Sequence, residues 1–269
     1  MNVALRLKLP DVQSQPDTRN IYIDDAGIKS VRYPMTICSG GKSQPTIATL
    51  SMTVGLSAAV KGTHMSRFIE LLEAQQGALD QDQFERMVRD MLQRLNASTG
   101  AIEIQFPYFV MKTAPISGVN SRLDYEVRWL GSVTDGKGYA FSINLTVPVT
   151  TLCPCSREIS RYGAHNQRSH VRITANLVSE VPIEELIAIA ERNASCEVYS
   201  LMKRSDEKYV TERAYENPKF VEDLVRDVAL ALRRDQRVSS FTVEAENYES
   251  IHNHSAFARI VQLPTTNSR

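Results

Sequence analysis

Little in this sequence points to an oxidising compartment, to nucleic acid or to a membrane. Of 269 residues only four are cysteine, at Cys38, Cys153, Cys155 and Cys196. That is too few for a disulfide scaffold of this size, so reduced thiols are expected and the close pair Cys153/Cys155 reads as metal-binding or catalytic. Neither sign of charge is in excess, with 31 basic and 31 acidic side chains. No Lys/Arg-rich run occurs, which removes the usual footprint of a nucleic-acid face and leaves any anionic ligand to local residues. No apolar run approaches the length needed to cross a bilayer. The opening MNVALRLKLPDVQSQPDTRN is polar and lacks the apolar core of a signal peptide, so a cytoplasmic address is expected. Glycine-rich nucleotide loops of the P-loop and dinucleotide kinds are missing as well.

What is present is periodicity. Hydrophobic residues make up 42% of the chain, enough for one large domain or two small ones. After a polar lead over 1–27, Ala48, Leu50, Met52, Val54 and Leu56 alternate as in a strand. Met65, Phe68, Ile69 and Leu72, then Phe84, Met87, Val88, Met91, Leu92 and Leu95, fall at helical spacing. Alternation returns at Ile102, Ile104 and Phe106 and at Leu123, Tyr125, Val127 and Trp129. Beyond the turn TDGKG a similar order begins again, with strands over Tyr139–Val149 and Val171–Leu177. A helix is expected from Pro182, another from the cap-and-proline pair Asn217-Pro218, and strands around Phe241 and Ala256. The pattern predicts an α+β fold with strand, strand, helix, helix, strand, strand in each half, over 28–135 and 136–269.

Two interruptions stand out in the second half: Thr150 to about Gln167, and the charged stretch CEVYSLMKRSDEKYVTERAYEN. Long irregular segments in a compact domain are usually functional or disordered. The first carries Cys153, Cys155 and His165. Thiolate and imidazole suit zinc, and a catalytic zinc keeps one position for water; a loop with one buried thiol fits the spacing equally. The second carries Asp206, Glu207, Glu212 and Glu216, readable as a solvated run. Glu222 follows in the first turn of a helix, where it either complements the helix dipole or accepts the paired N–H donors of a planar base such as guanine. His252 and His254, two apart on an expected strand, face one way and suit acid–base work near neutral pH, or are plain strand histidines. KGTHMSRF places Lys61, His64 and Arg67 at an expected helix start capped by Thr63, a place that favours phosphate.

Together the stretches CPCSREIS…GAHNQRS, MKRSDEKYVTERAYENPKFVEDLVRD, KGTHMSRF and ESIHNHSAFA resemble those of the type IB GTP cyclohydrolases, over nearly the whole chain. The resemblance implies two tandem tunnelling-fold units, with antiparallel sheets carrying helices on one face and closing into barrels in a homotetramer with interfacial sites. It implies conversion of GTP and water to 7,8-dihydroneopterin triphosphate and formate, the first step of tetrahydrofolate biosynthesis. By the same motifs Cys153, His165 and Glu207 resemble the ligands of a zinc ion, replaceable by manganese or iron. Glu222 resembles the guanine anchor, and Cys153, His252 and His254 the catalytic groups. Lys61, His64, Arg67, Lys203 and Arg204 are the cations expected to face the triphosphate. The alternatives are a tunnelling-fold nitrile reductase with a cysteine nucleophile, a cyclohydrolase stopping at a cyclic phosphate, and a scaffold stapled by its metal.

Overall fold

A computed structural model of the chain describes residues 11–264. Part of the polar lead, 1–10, lies outside the described residues. The first half runs β1 (Ile23–Ser39), β2 (Lys42–Leu56), α1 (Ser66–Ala74), α2 (Gln81–Leu95), β3 (Gly100–Thr113) and β4 (Asn120–Thr134). The second runs β5 (Gly138–Leu152), α3 (Pro154–Ile159), β6 (Asn166–Leu177), α4 (Ile183–Asn193), β7 (Cys196–Glu197), α5 (Arg204–Glu216), α6 (Val221–Arg234), β8 (Val238–Tyr248) and β9 (Ala256–Gln262). The strands form one sheet in the order β1-β2-β3-β4-β5-β6-β8-β9, with the short β7 added to β5. Every pairing between these strands is antiparallel.

The helices form because each carries one apolar stripe that the sheet can cover. In α2, Asp80 caps the start by accepting the Gln83 N–H at 2.7 Å, and Phe84, Met87, Val88, Met91 and Leu92 are buried. Asn96 turns left-handed at φ 51° and ends it. In α6 the buried stripe is Val221, Leu224, Val225, Val228, Ala229 and Leu232. Each larger apolar side chain so buried stabilises the fold by roughly 1.5–3 kcal/mol. Phe84 and Trp129 meet Phe141 edge-on at 6.0 and 5.7 Å, packing aromatic surface across the β4–β5 seam. Lys112 Nζ and Tyr125 Oη both donate to Glu191 Oε1, at 2.6 and 2.9 Å, which ties α4 to β3 and β4.

The structure departs from the sequence expectation in several places. Strand β1 begins inside the polar lead, at Ile23, because its outer half has no fully buried residue and leaves no alternation to read. It also bulges on either side of Gly27, whose missing Cβ would sit 1.9 Å from the Met52 carbonyl oxygen. The charged stretch from Cys196 is largely helix α5, whose buried residues are only Asp206 and Ala214, so no apolar stripe betrays it. Asn217 ends that helix rather than starting the next, with its Nδ2 donating to the Ala194 carbonyl at 2.8 Å, and α6 starts at Val221. Thr63 does not cap α1, which begins at Ser66 with Met65 at the cap position and no side-chain cap bond.

Helix α5 is fixed at its start by Asp206, which is fully buried. Its Oδ1 accepts the Ile116 and Ser117 N–H groups at 2.8 Å each; its Oδ2 accepts Ser117 Oγ at 2.6 Å and the Lys203 N–H at 2.8 Å. Burial pushes this carboxyl upward, but the bonds from Ser117, Lys203 and Ile116 outweigh it and hold it well below the carboxylate range. A depressed folded-state pKa gives stability that is present above the unfolded value of about 3.9 and lost as pH falls through the folded one. Asp206→Asn is therefore expected to lower the Tm at neutral pH, with the gap to wild type shrinking once the pH drops below about 4. An unchanged Tm at neutral pH would contradict this account.

Candidate active site

Antiparallel pairing brings the end of β5, the start of β6 and the end of β8 to one end of the sheet. Cys153 follows β5 directly and caps the short α3, its Sγ accepting the Ser156 N–H at 3.4 Å. The segment then closes on itself. The Cys153 N–H donates to the His165 carbonyl at 3.2 Å, and the His165 N–H to Ser156 Oγ at 3.2 Å. Cys153 and His165 are thus neighbours, half-buried, although most of the segment between them faces solvent.

A row of buried polar groups stands behind His165. Its Nδ1 meets Gln167 Oε1 at 3.1 Å; Gln167 Nε2 donates to Thr151 Oγ1 at 3.0 Å; Thr151 Oγ1 and Ser169 Oγ lie 2.7 Å apart. Because the amide nitrogen is committed to Thr151, the amide oxygen faces the ring, and the neutral tautomer matching it has its proton on Nδ1 and its lone pair on Nε2. This is the arrangement that orients an imidazole as a metal ligand. The donor chemistry of Cys153 and His165 therefore fits a borderline divalent ion. The third expected ligand is not gathered with them. Glu207 is exposed in the first turn of α5, and among the described residues no three His, Cys, Asp or Glu side chains come together closely enough to hold a metal.

A cavity of about 180 Å³ opens beside Cys153 and is lined by Gln167, Lys219, Glu222, Asn247 and Glu249 among others. Glu222 enters it from the first turn of α6. A larger hollow, about 700 Å³, lies between the start of α2 and the strands β5 and β6, and contains none of the expected site residues. The small cavity is the candidate site because it joins the thiol to the expected base anchor.

His252 and His254 lie in the turn between β8 and β9, not on a strand; the chain reverses after Tyr248 and pairs again at Ala256. Their rings stack at 5.1 Å, and His252 Nε2 lies 3.4 Å from Oε2 of Glu249, a cavity-lining residue. Lys61, His64 and Arg67 follow β2, which runs opposite to β5, so one chain holds them at the other end of the sheet. There His64 Nε2 is 3.4 Å from Asp11 Oδ2, and Arg67 Nη1 donates to the Arg94 carbonyl at 2.9 Å. Lys203 and Arg204 are exposed at the start of α5 and do not line the cavity. Cys155 is exposed, while Cys196 is buried, and burial followed by the Glu197 carboxylate pushes its thiol up to about 11.

Four lining residues escaped the sequence reading: Gln167, Lys219, Asn247 and Glu249. Two had a signal. Gln167 and Asn247 are polar residues at inward positions of strands that further along turn Val171, Ile173, Val243 and Ala245 inward.

A family model described as type I GTP cyclohydrolase folE2 matches residues 9–258. Among curated proteins, the "GTP cyclohydrolase FolE2" of Paraburkholderia phymatum is 58% identical over 253 residues, covering 94% of each chain. The protein of the same description from Azoarcus sp. is 54% identical over 261 residues, 97% of each. Among solved structures, uricase from Arthrobacter globiformis superposes with a TM-score of 0.52 at 8% identity, covering 91% of this chain and 95% of that one. At that identity the likeness is one of fold, and that fold is tunnelling-like. The motif resemblance holds at the level of GTP cyclohydrolase; the matched descriptions carry no IB designation.

Proposed function

The chain belongs to the FolE2 family of type I GTP cyclohydrolases, and from that premise we propose that the cavity between Cys153 and Glu222 is where GTP is opened. The reaction is hydrolysis of GTP to 7,8-dihydroneopterin triphosphate and formate, the entry to tetrahydrofolate biosynthesis. The single observation that carries the assignment is that Cys153 and Glu222, far apart in sequence, line one cavity. The narrower designation as type IB rests on the motif letters.

In this reading the Glu222 carboxylate accepts the N1–H and a 2-amino proton of guanine, a charge-assisted pair that fixes the base in its plane. The far ring of the base is thereby directed toward the Cys153 end. Cys153 and His165 would hold a divalent ion, zinc or else manganese or iron; Glu207, exposed on α5 and not gathered with them, would have to be brought in to complete the set. Such an ion supplies a water acidified from a pKa of 15.7 toward about 7, able to attack at neutral pH. Water adds at the imidazole carbon, the ring opens, and a second hydration releases formate. His252, 3.4 Å from the cavity-lining Glu249, or His254, stacked on it, would protonate the departing nitrogen.

The triphosphate needs more cations than the cavity's own Lys219, which pairs with Asp227. Lys203 and Arg204 stand on the helix that carries Glu207, and Lys61, His64 and Arg67 would come from a neighbouring subunit. A homotetramer with interfacial sites and a cytoplasmic address belong to the same proposal. No helix among the described residues is long and apolar enough to cross a membrane.

The test pairs metal analysis of the purified protein with incubation in GTP. Formate and a fluorescent pterin after oxidation are expected in equal amounts. Nicotinamide oxidation without formate would favour a reductase, and a cyclic phosphate product would move the chain to a different cyclohydrolase class.

A further inference from the structure

The polar residues at the cavity end of the sheet form a contiguous buried patch, and all but one are satisfied within the chain. Thr151, Gln167 and Ser169 bond to one another, and Gln167 also holds His165. Asn247 lies directly opposite Ser169 in the β6–β8 register, so it shares their face. It is only 2% exposed and lines the cavity with Glu222. Its Oδ1 is buried with no hydrogen-bond partner among the described residues. Buried amides are almost always paired, and one left open beside a ligand cavity implies a partner that arrives with the ligand.

We infer that Asn247 is a specificity-determining residue of the site, accepting a hydrogen bond from the exocyclic amino group of the guanine base that Glu222 anchors. The inference rests on the proposed function and adds a second reader to it. Guanine in GTP offers three N–H protons, one on N1 and two on the 2-amino group. Glu222 takes the N1 proton and one amino proton, so the second amino proton is the donor left for a free carbonyl oxygen. The open acceptor and the remaining donor match in number and kind. Inosine triphosphate, which lacks the amino group, has nothing to offer Asn247.

The experiment compares GTP and inosine triphosphate as substrates for the wild-type metal-loaded enzyme and for Asn247→Leu, Asn247→Ser and Glu222→Gln, with Tm and metal content measured alongside. Asn247→Leu keeps the side-chain shape while removing an unsatisfied buried amide, so it should fold with an equal or higher Tm. Its KM for GTP should rise about tenfold or more, while that for inosine triphosphate changes far less, which narrows the preference between them. Asn247→Ser, which shortens the reach but retains an acceptor, should show the same narrowing in a protein that keeps its polar group. If both Asn247 variants keep the wild-type KM for GTP and the wild-type preference while Glu222→Gln weakens GTP, the role of Asn247 is overturned and the cavity remains the base site. If Glu222→Gln also binds GTP normally, both the inference and the location of the base fall together.

Discussion

Cys153→Ala is expected to lose its metal and its turnover together, with kcat/KM for GTP falling by at least about a thousandfold. The magnitude follows from what the residue supplies. Without a held, acidified water the attacking group reverts to bulk water, with a pKa higher by more than eight units. The same side chain has a structural duty that must be separated from this one. Its Sγ accepts the Ser156 N–H at the start of α3, and losing such a cap costs about 1 kcal/mol. Cys153→Ser separates the two, because serine is a good cap but a poor substitute for a thiolate on zinc. The expected pattern is a Tm near wild type for Cys153→Ser, with metal and activity both still missing. A Cys153→Ala protein that retained stoichiometric metal and turned over GTP would end the assignment of the site.

Glu222→Gln is expected to show the opposite separation, with metal retained and the KM for GTP raised by about two orders of magnitude. A charge-assisted hydrogen bond contributes roughly 1.5–3 kcal/mol, and the substituted amide also turns an N–H toward a donor on the base. A purely structural role for Glu222 predicts a much smaller change. As a first-turn carboxylate it would contribute about 0.3–1 kcal/mol through the helix dipole. The cap itself belongs to Asp223, whose Oδ2 accepts the Phe220 N–H at 3.4 Å and which the substitution leaves in place. Measuring GTP affinity, metal content and Tm on the one variant therefore tells the anchor from the cap. Normal GTP affinity would refute the anchoring role.

The candidate site was legible in the sequence wherever chemistry is carried by rare residue types in a tight spacing. Cys153 and His165 announce themselves because thiol and imidazole are few in this chain and lie within one interruption of a strand pair. Glu222 is marked by its place at the start of an amphipathic helix. The helix α5 was hidden because its sides are polar nearly all round and it is held by the buried Asp206 rather than by an apolar stripe. The histidines at 252 and 254 were assigned to a strand because two-residue spacing suits both a strand and the tight reversal that they occupy.

Amino-acid order by itself determined the α+β class, the order of strands and helices in the first half, the stripes that face the core and the thiol and imidazole from which the proposed metal site is built. These are local properties: period and composition depend on neighbours a few residues away, and burial against any apolar surface satisfies them. Only the tertiary structure decided that β4 pairs with β5 to make one sheet, that the ends of β5, β6 and β8 meet, and that Glu222 opens into the same cavity as Cys153. It also decided that Asn247 Oδ1 has no hydrogen-bond partner among the described residues while the Gln167 side chain has two, and that Lys61, His64 and Arg67 lie at the far end of the sheet from that cavity. The reason is that strand register and the completion of hydrogen bonds join residues far apart in sequence, and no local pattern encodes which of them will meet.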